Sequence, residues 1–117
     1  MPVDADEALR RATLIRSDPS LRGVTRQNIA TEEGEVEWQY LAPDGEPVEE
    51  EDRIARWNSM GLPPAWVDIW ICPNPRGHIQ ATGRDVKGRL QYRYHPDWTE
   101  ITTEMKYDDV VYFASQL

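Results

Sequence analysis

The chain has 117 residues, enough for one domain with a modest core and too few for a core plus a separate catalytic lobe, so it suits a module of something larger. Its 13 Lys and Arg against 21 Asp and Glu give a net charge of −8, which on its face argues against a polyanionic partner. A single cysteine, Cys72, excludes an intramolecular disulfide, no apolar run approaches the roughly 20 residues of a membrane helix, and the N-terminus lacks a signal-peptide pattern; a soluble cytoplasmic protein is expected.

Asp4 to Arg16 carries Ala5, Ala8, Leu9, Ala12 and Ile15 at helical spacing, acids first and arginines last, which predicts a first helix ending before Asp18-Pro19. Gly23 to Ile29 is a weak edge-strand pattern. In Glu35 to Leu41, Val36, Trp38 and Tyr40 alternate with Glu35, Glu37 and Gln39, the period of a half-buried strand, and Pro43-Asp44-Gly45 makes a turn. Glu49 to Met60 predicts a short helix with Ile54, Trp57 and Met60 near one face, closed by Gly61 and Pro63-Pro64. Trp66 to Cys72 (WVDIWIC) predicts a central strand, with Cys72 a small buried residue. Turns at Asn74 to Gly77 and Asp85 to Gly88 separate it from strands at His78 to Thr82 and Arg89 to Tyr94, giving an antiparallel meander. Ile101, Met105, Val110, Phe113 and Ala114 suggest a closing helix, with a break near Thr102 or Asp108.

Charge is unevenly distributed. Glu32 to Asp52 holds ten carboxylates and no Lys or Arg, whereas Arg76 to His95 holds Arg76, Arg84, Lys87, Arg89 and Arg93 against Asp85 alone. On the last strand, period two puts Leu90, Tyr92 and Tyr94 on one face and Arg89, Gln91, Arg93 and His95 on the other. Arginine suits phosphate or guanine and glutamine can bond adenine at two positions, so this strand is a candidate nucleic-acid reader. The competing reading has the tyrosines filling a core and the arginines decorating an exposed face. His78, His95 and Asp97 invite a metal or a general base, yet two histidines without an assured third ligand form a weak constellation, and a structural role is the simpler expectation. GRDVKG lacks the spacing of a phosphate-binding glycine loop, and Ser59 and Ser115 have no nucleophile context. Trp57, Trp66 and Trp70 read as core.

From Leu62 onward, three pieces, LPPAWVDIWICP, PNPRGHIQATGRD and KGRLQYRYHP, closely resemble the N-terminal domain of bacterial, poxvirus-like type IB DNA topoisomerases. The similarity extends more loosely back through WQYLAPDG and forward to KYDDVVYFASQL, covering roughly Gly23 to the end. The resemblance implies an α+β fold, a twisted antiparallel sheet with flanking short helices, with 1–22 an N-terminal extension and 23–117 the DNA-binding domain. It implies the smaller lobe of a clamp that holds duplex DNA in the major groove while a C-terminal catalytic domain cleaves one strand through a 3′-phosphotyrosyl link and relaxes supercoils without ATP. It implies no cofactor, no metal, no membrane, a monomer, and a nucleoid-associated location. The nucleophile belongs to the C-terminal domain, so Tyr92, Tyr94, Tyr107 and Tyr112 carry no catalytic role and the chain alone is expected to be inactive. Gln91 matches the family's base-contacting glutamine, Tyr92 and Tyr94 its two DNA-contacting tyrosines, and Lys87 and Arg89 the basic positions beside them; Arg93 completes the candidate set. Leu90 departs, standing where poxvirus members carry a basic residue. Gln91 and Tyr92 fall on opposite faces, so both reach DNA only from an edge, a strong twist or a strand end. A protein-interaction module without DNA binding is the rival from another class.

Overall fold

The computed structural model describes residues 4–30, 34 and 36–115. Glu32, Glu33 and Glu35 of the acidic run lie outside them, as do the side chains of Tyr107, Val110, Tyr112, Phe113 and Ala114. Helix α1 spans Ala5–Ala12, and Asp4 caps it by accepting from the amides of Asp6 at 3.0 Å and Glu7 at 3.4 Å. The helical pattern runs on to Arg16, but Thr13 turns left-handed (φ 54°) and stops it. A physical cause lies across the fold: the Arg76 guanidinium donates to the carbonyls of Ala12 and Thr13, groups a helix end leaves unpaired. The released Ile15 forms a parallel bridge with Gly77.

Strands β1 (Thr25–Ala30) and β2 (Val36–Leu41) form an antiparallel pair, Thr25 opposite Leu41 and Ala30 opposite Val36. The alternation predicted there is visible in Tyr40, which is buried, and Trp38, which is half-buried. Helix α2 spans Glu51–Ser59 and delivers Trp57, 1% exposed, to the core. Strands β3 (Val67–Ile71), β4 (Ile79–Arg84) and β5 (Leu90–Tyr94) form the expected antiparallel meander, in the order β3-β4-β5. Helix α3 spans Pro96–Ser115 as one 20-residue element, neither short nor broken at Thr102 or Asp108. The hydroxyls of Thr102 and Thr103 donate back to the carbonyls of Trp98 and Thr99, so these threonines stay within the helix.

The α+β class holds, but the β structure is divided into a pair and a triplet instead of one continuous sheet. Two backbone hydrogen bonds join them, Val24 N to Ile71 O at 2.9 Å and Ile71 N to Val24 O at 2.8 Å. At that seam lies the core, comprising Val24, Tyr40, Val48, Trp57, Leu62, Ile69, Ile71 and Ala81. The Tyr40 and Trp57 rings pack tilted with centroids 5.1 Å apart, and the Tyr40 hydroxyl donates to Asn58 Oδ1 at 2.7 Å. Trp66 and Trp70 are only partly buried. Cys72 is buried just beyond β3. The segment read as an extension packs on this body: α1 lies against α3, and Ser17 bonds His78 and Ile79.

Candidate nucleic-acid interface

The basic stretch is built by the β4–β5 hairpin. Its turn runs Asp85-Val86-Lys87-Gly88, closed by Gly88 N donating to Asp85 O at 2.9 Å. Gly88 sits at φ 76°, a region open to glycine at no Cβ cost, so the turn needs a glycine there. The Asp85 carboxylate organises the turn from within. Oδ1 accepts from the amides of Lys87 at 2.9 Å and Arg89 at 3.0 Å, while Oδ2 accepts from Arg89 Nε at 2.9 Å and Gln91 Nε2 at 3.1 Å. Desolvation alone raises its pKa, but the bonds from Arg89, Gln91 and Lys87 favour the charged form and outweigh it, leaving Asp85 at about 2.

Pairing along β5 fixes which residues share a face. Ala81 opposes Arg93, and Gly83 opposes Gln91. A Cβ on Gly83 would meet Trp66 at 2.8 Å and Ile69 at 2.9 Å, so this face looks toward the core and needs glycine for the close approach. Arg93 continues it at the margin, exposed, with its guanidinium 5.6 Å from the Trp66 ring. On the opposite face Trp70, Thr82 and Tyr92 stand side by side across the three strands. Tyr92 and Tyr94 lie there stacked, centroids 5.9 Å apart and planes at 12°, and are 43% and 45% exposed. Neither tyrosine fills the core, and Leu90 beside them is 44% exposed.

The conflict between Gln91 and Tyr92 has a geometric answer. β5 is the outer strand of its sheet, so side chains from both faces open onto one margin. Lys87, Arg89, Tyr92, Arg93 and Tyr94 are exposed along it, and Gln91 is half-buried. Arg84 is drawn into the turn, donating to Gly88 O at 3.0 Å. Beside the margin lies an open cleft of ≈ 300 Å³ lined by Ser59, Met60, Gln80, Arg93, Tyr94 and Pro96.

The histidines do other work. His78 is buried, its Nδ1 accepts from Ser17 N at 3.0 Å, and its ring meets Trp98 edge-on at 4.8 Å. His95 Nδ1 accepts from Asp97 N at 3.0 Å. Burial lowers the pKa of both below the usual 6.5, with Asp97 opposing at His95. Among the described residues, no three His, Cys, Asp or Glu side chains gather as a metal would need, and no helix is long and apolar enough to cross a membrane.

Residues 37–85 match the family described as bacterial DNA topoisomerase IB, N-terminal domain. That stretch is therefore similar to the N-terminal domains of type IB topoisomerases. DNA topoisomerase 1B of Acanthamoeba polyphaga mimivirus is 45% identical over 56 residues, an alignment covering 48% of this chain and 16% of that viral protein. The family match takes in most of β2 and all of α2, β3 and β4, and it ends at the first residue of the hairpin turn. The family match thus covers the elements from β2 to β4, and Lys87 to Tyr94 lie past its end. Sequence reasoning missed Asp85 as the organiser of this margin. Its signal was present, an Asp opening a turn that ends in Gly, but its reach to Gln91 depends on the hairpin register.

Proposed function

We propose that this chain is the DNA-binding lobe of a type IB topoisomerase, holding duplex DNA in the major groove while a C-terminal catalytic domain cleaves and reseals one strand. Lys87, Arg89 and Arg93 reach phosphates, Gln91 reads a base edge, and Tyr92 and Tyr94 lie against the groove or backbone. The reading is carried by the outer strand β5, where cationic, amide and paired aromatic side chains share one exposed margin. Supercoil relaxation without ATP through a 3′-phosphotyrosyl link belongs to the whole enzyme, and the isolated lobe is inactive, monomeric and free of cofactor. Exposed Glu49, Glu50, Glu51 and Asp52, at the start of α2, face away from the duplex in this arrangement.

Amide chemical-shift perturbation with a short duplex at low salt tests the proposal. Shifts centred on Lys87 to Tyr94 support it, and an unperturbed spectrum sinks it. Exposed Leu90 and Val86 favour a second reading, a protein-interaction surface. The same hairpin perturbed by a protein partner, and by no duplex, supports that reading instead.

A further inference from the structure

Resting on the DNA-binding reading, we infer that Asp85 is a specificity-determining positioning residue, which fixes the edges that Gln91 and Arg89 present to the duplex. A carboxylate accepts and cannot donate, so the side chain 3.1 Å from Asp85 Oδ2 must turn its nitrogen inward. Reversing the Gln91 amide would set Oε1 against a carboxylate oxygen. Asp85 cannot rotate to accommodate the reversal, because Oδ1 is held by the amides of Lys87 and Arg89. The lock lies beneath the surface it serves: the Asp85 side chain is 14% exposed, whereas that of Arg89 is 65% exposed.

With one N–H on Asp85, Gln91 keeps Oε1 and a second N–H for a partner. An acceptor beside a donor is the pattern that pairs with N6 and N7 of adenine in the major groove. Arg89 spends Nε on the same oxygen, which leaves its two terminal nitrogens as a fork for a phosphate. The chain should therefore prefer an A·T pair at the position Gln91 reaches.

Asp85→Asn is the discriminating variant. Asparagine can keep Oδ1 on the two turn amides, but its NH2 then opposes Arg89 Nε and Gln91 Nε2, donor against donor, so Gln91 turns round. Fluorescence anisotropy is measured on duplexes that differ by one base pair at each position. The unchanged chain should prefer A·T at one position by about 5- to 150-fold, the range of a good bidentate contact. In Asp85→Asn that preference should fall to about 2-fold or less, while average affinity holds or rises because a negative charge has gone. A retained preference overturns the inference while leaving DNA binding standing, and so does binding without any preference in the unchanged chain. Absence of binding to every duplex overturns the interface itself and the inference with it. A measurement without variant or DNA guards against a misfolded hairpin: one Gln91 side-chain amide proton should exchange more slowly than those of free glutamine. Free-glutamine behaviour at Gln91 overturns the lock.

Discussion

Gln91 and Lys87 stand four residues apart on one hairpin, yet their losses should look different. If Gln91 reads a base as proposed, Gln91→Ala should cost about 1–3 kcal/mol on the preferred duplex and little on others. Lys87→Ala, exposed at the turn, should weaken all duplexes alike. Competition binding with matched and mismatched duplexes separates the two; equal loss on every duplex for Gln91→Ala removes its reading role. Gly83 belongs to stability. An alanine there meets Trp66 and Ile69, and the overpacking should lower stability by about 1–3 kcal/mol in urea unfolding. Legibility at this scale was selective. Alternation along β5 separated the two faces correctly, but no local pattern says which face is covered. That depends on Trp66 and Ile69 standing over Gly83, contacts made far along the chain.

Among the elements, strands with turn residues at their ends were readable: β2 from its alternation, β3 from its proline boundaries, and the β4–β5 hairpin from Asp85 to Gly88. The errors fell at helix boundaries, one set by a tertiary partner and the other by side-chain bonds within the helix. Helix α1 ends early because Arg76 takes its terminal carbonyls, and α3 runs on because its threonines bond internally. That docking of α1 is testable. Arg76→Ala should release α1, exposing Arg10, Arg11 and Arg16 to trypsin well before the hairpin is cut. His78 adds a pH dependence. It must be neutral to accept from Ser17, and its folded pKa is lowered chiefly by burial. The unfolded chain therefore binds the proton first, so this contribution is complete above about pH 6.5 and is lost as pH falls through the lowered folded value. Melting temperature should decline from pH 7 to 5, and His78→Gln should flatten that decline.

For the whole molecule the governing fact is a net charge of −8 carried beside a small cationic margin. With Lys87, Arg89 and Arg93 each displacing one counterion, log K should fall with log salt at a slope of about −3, and Lys87→Ala should reduce its magnitude by about 1. A slope near zero in a salt titration would remove the phosphate contacts from the proposal. The α+β class was readable because the hydrophobic period switches cleanly between helices and strands. The way the pair and the triplet meet was not, because they are joined by backbone pairing between Val24 and Ile71, 47 positions apart, which no side-chain pattern announces.

The outer position of β5 also bears on colloidal behaviour. An outer strand to which no further strand among the described residues pairs, with exposed Leu90, Tyr92 and Tyr94, is a template on which a second chain can add a strand. Arg89 and Arg93, alternating with those side chains, repel an identical edge and act as gatekeepers against self-association. On the proposed reading the same cations would both hold copies apart and meet the phosphates of a duplex. Neutralising both should promote strand addition and precipitation, visible as sedimentation at concentrations where the unchanged chain stays in solution.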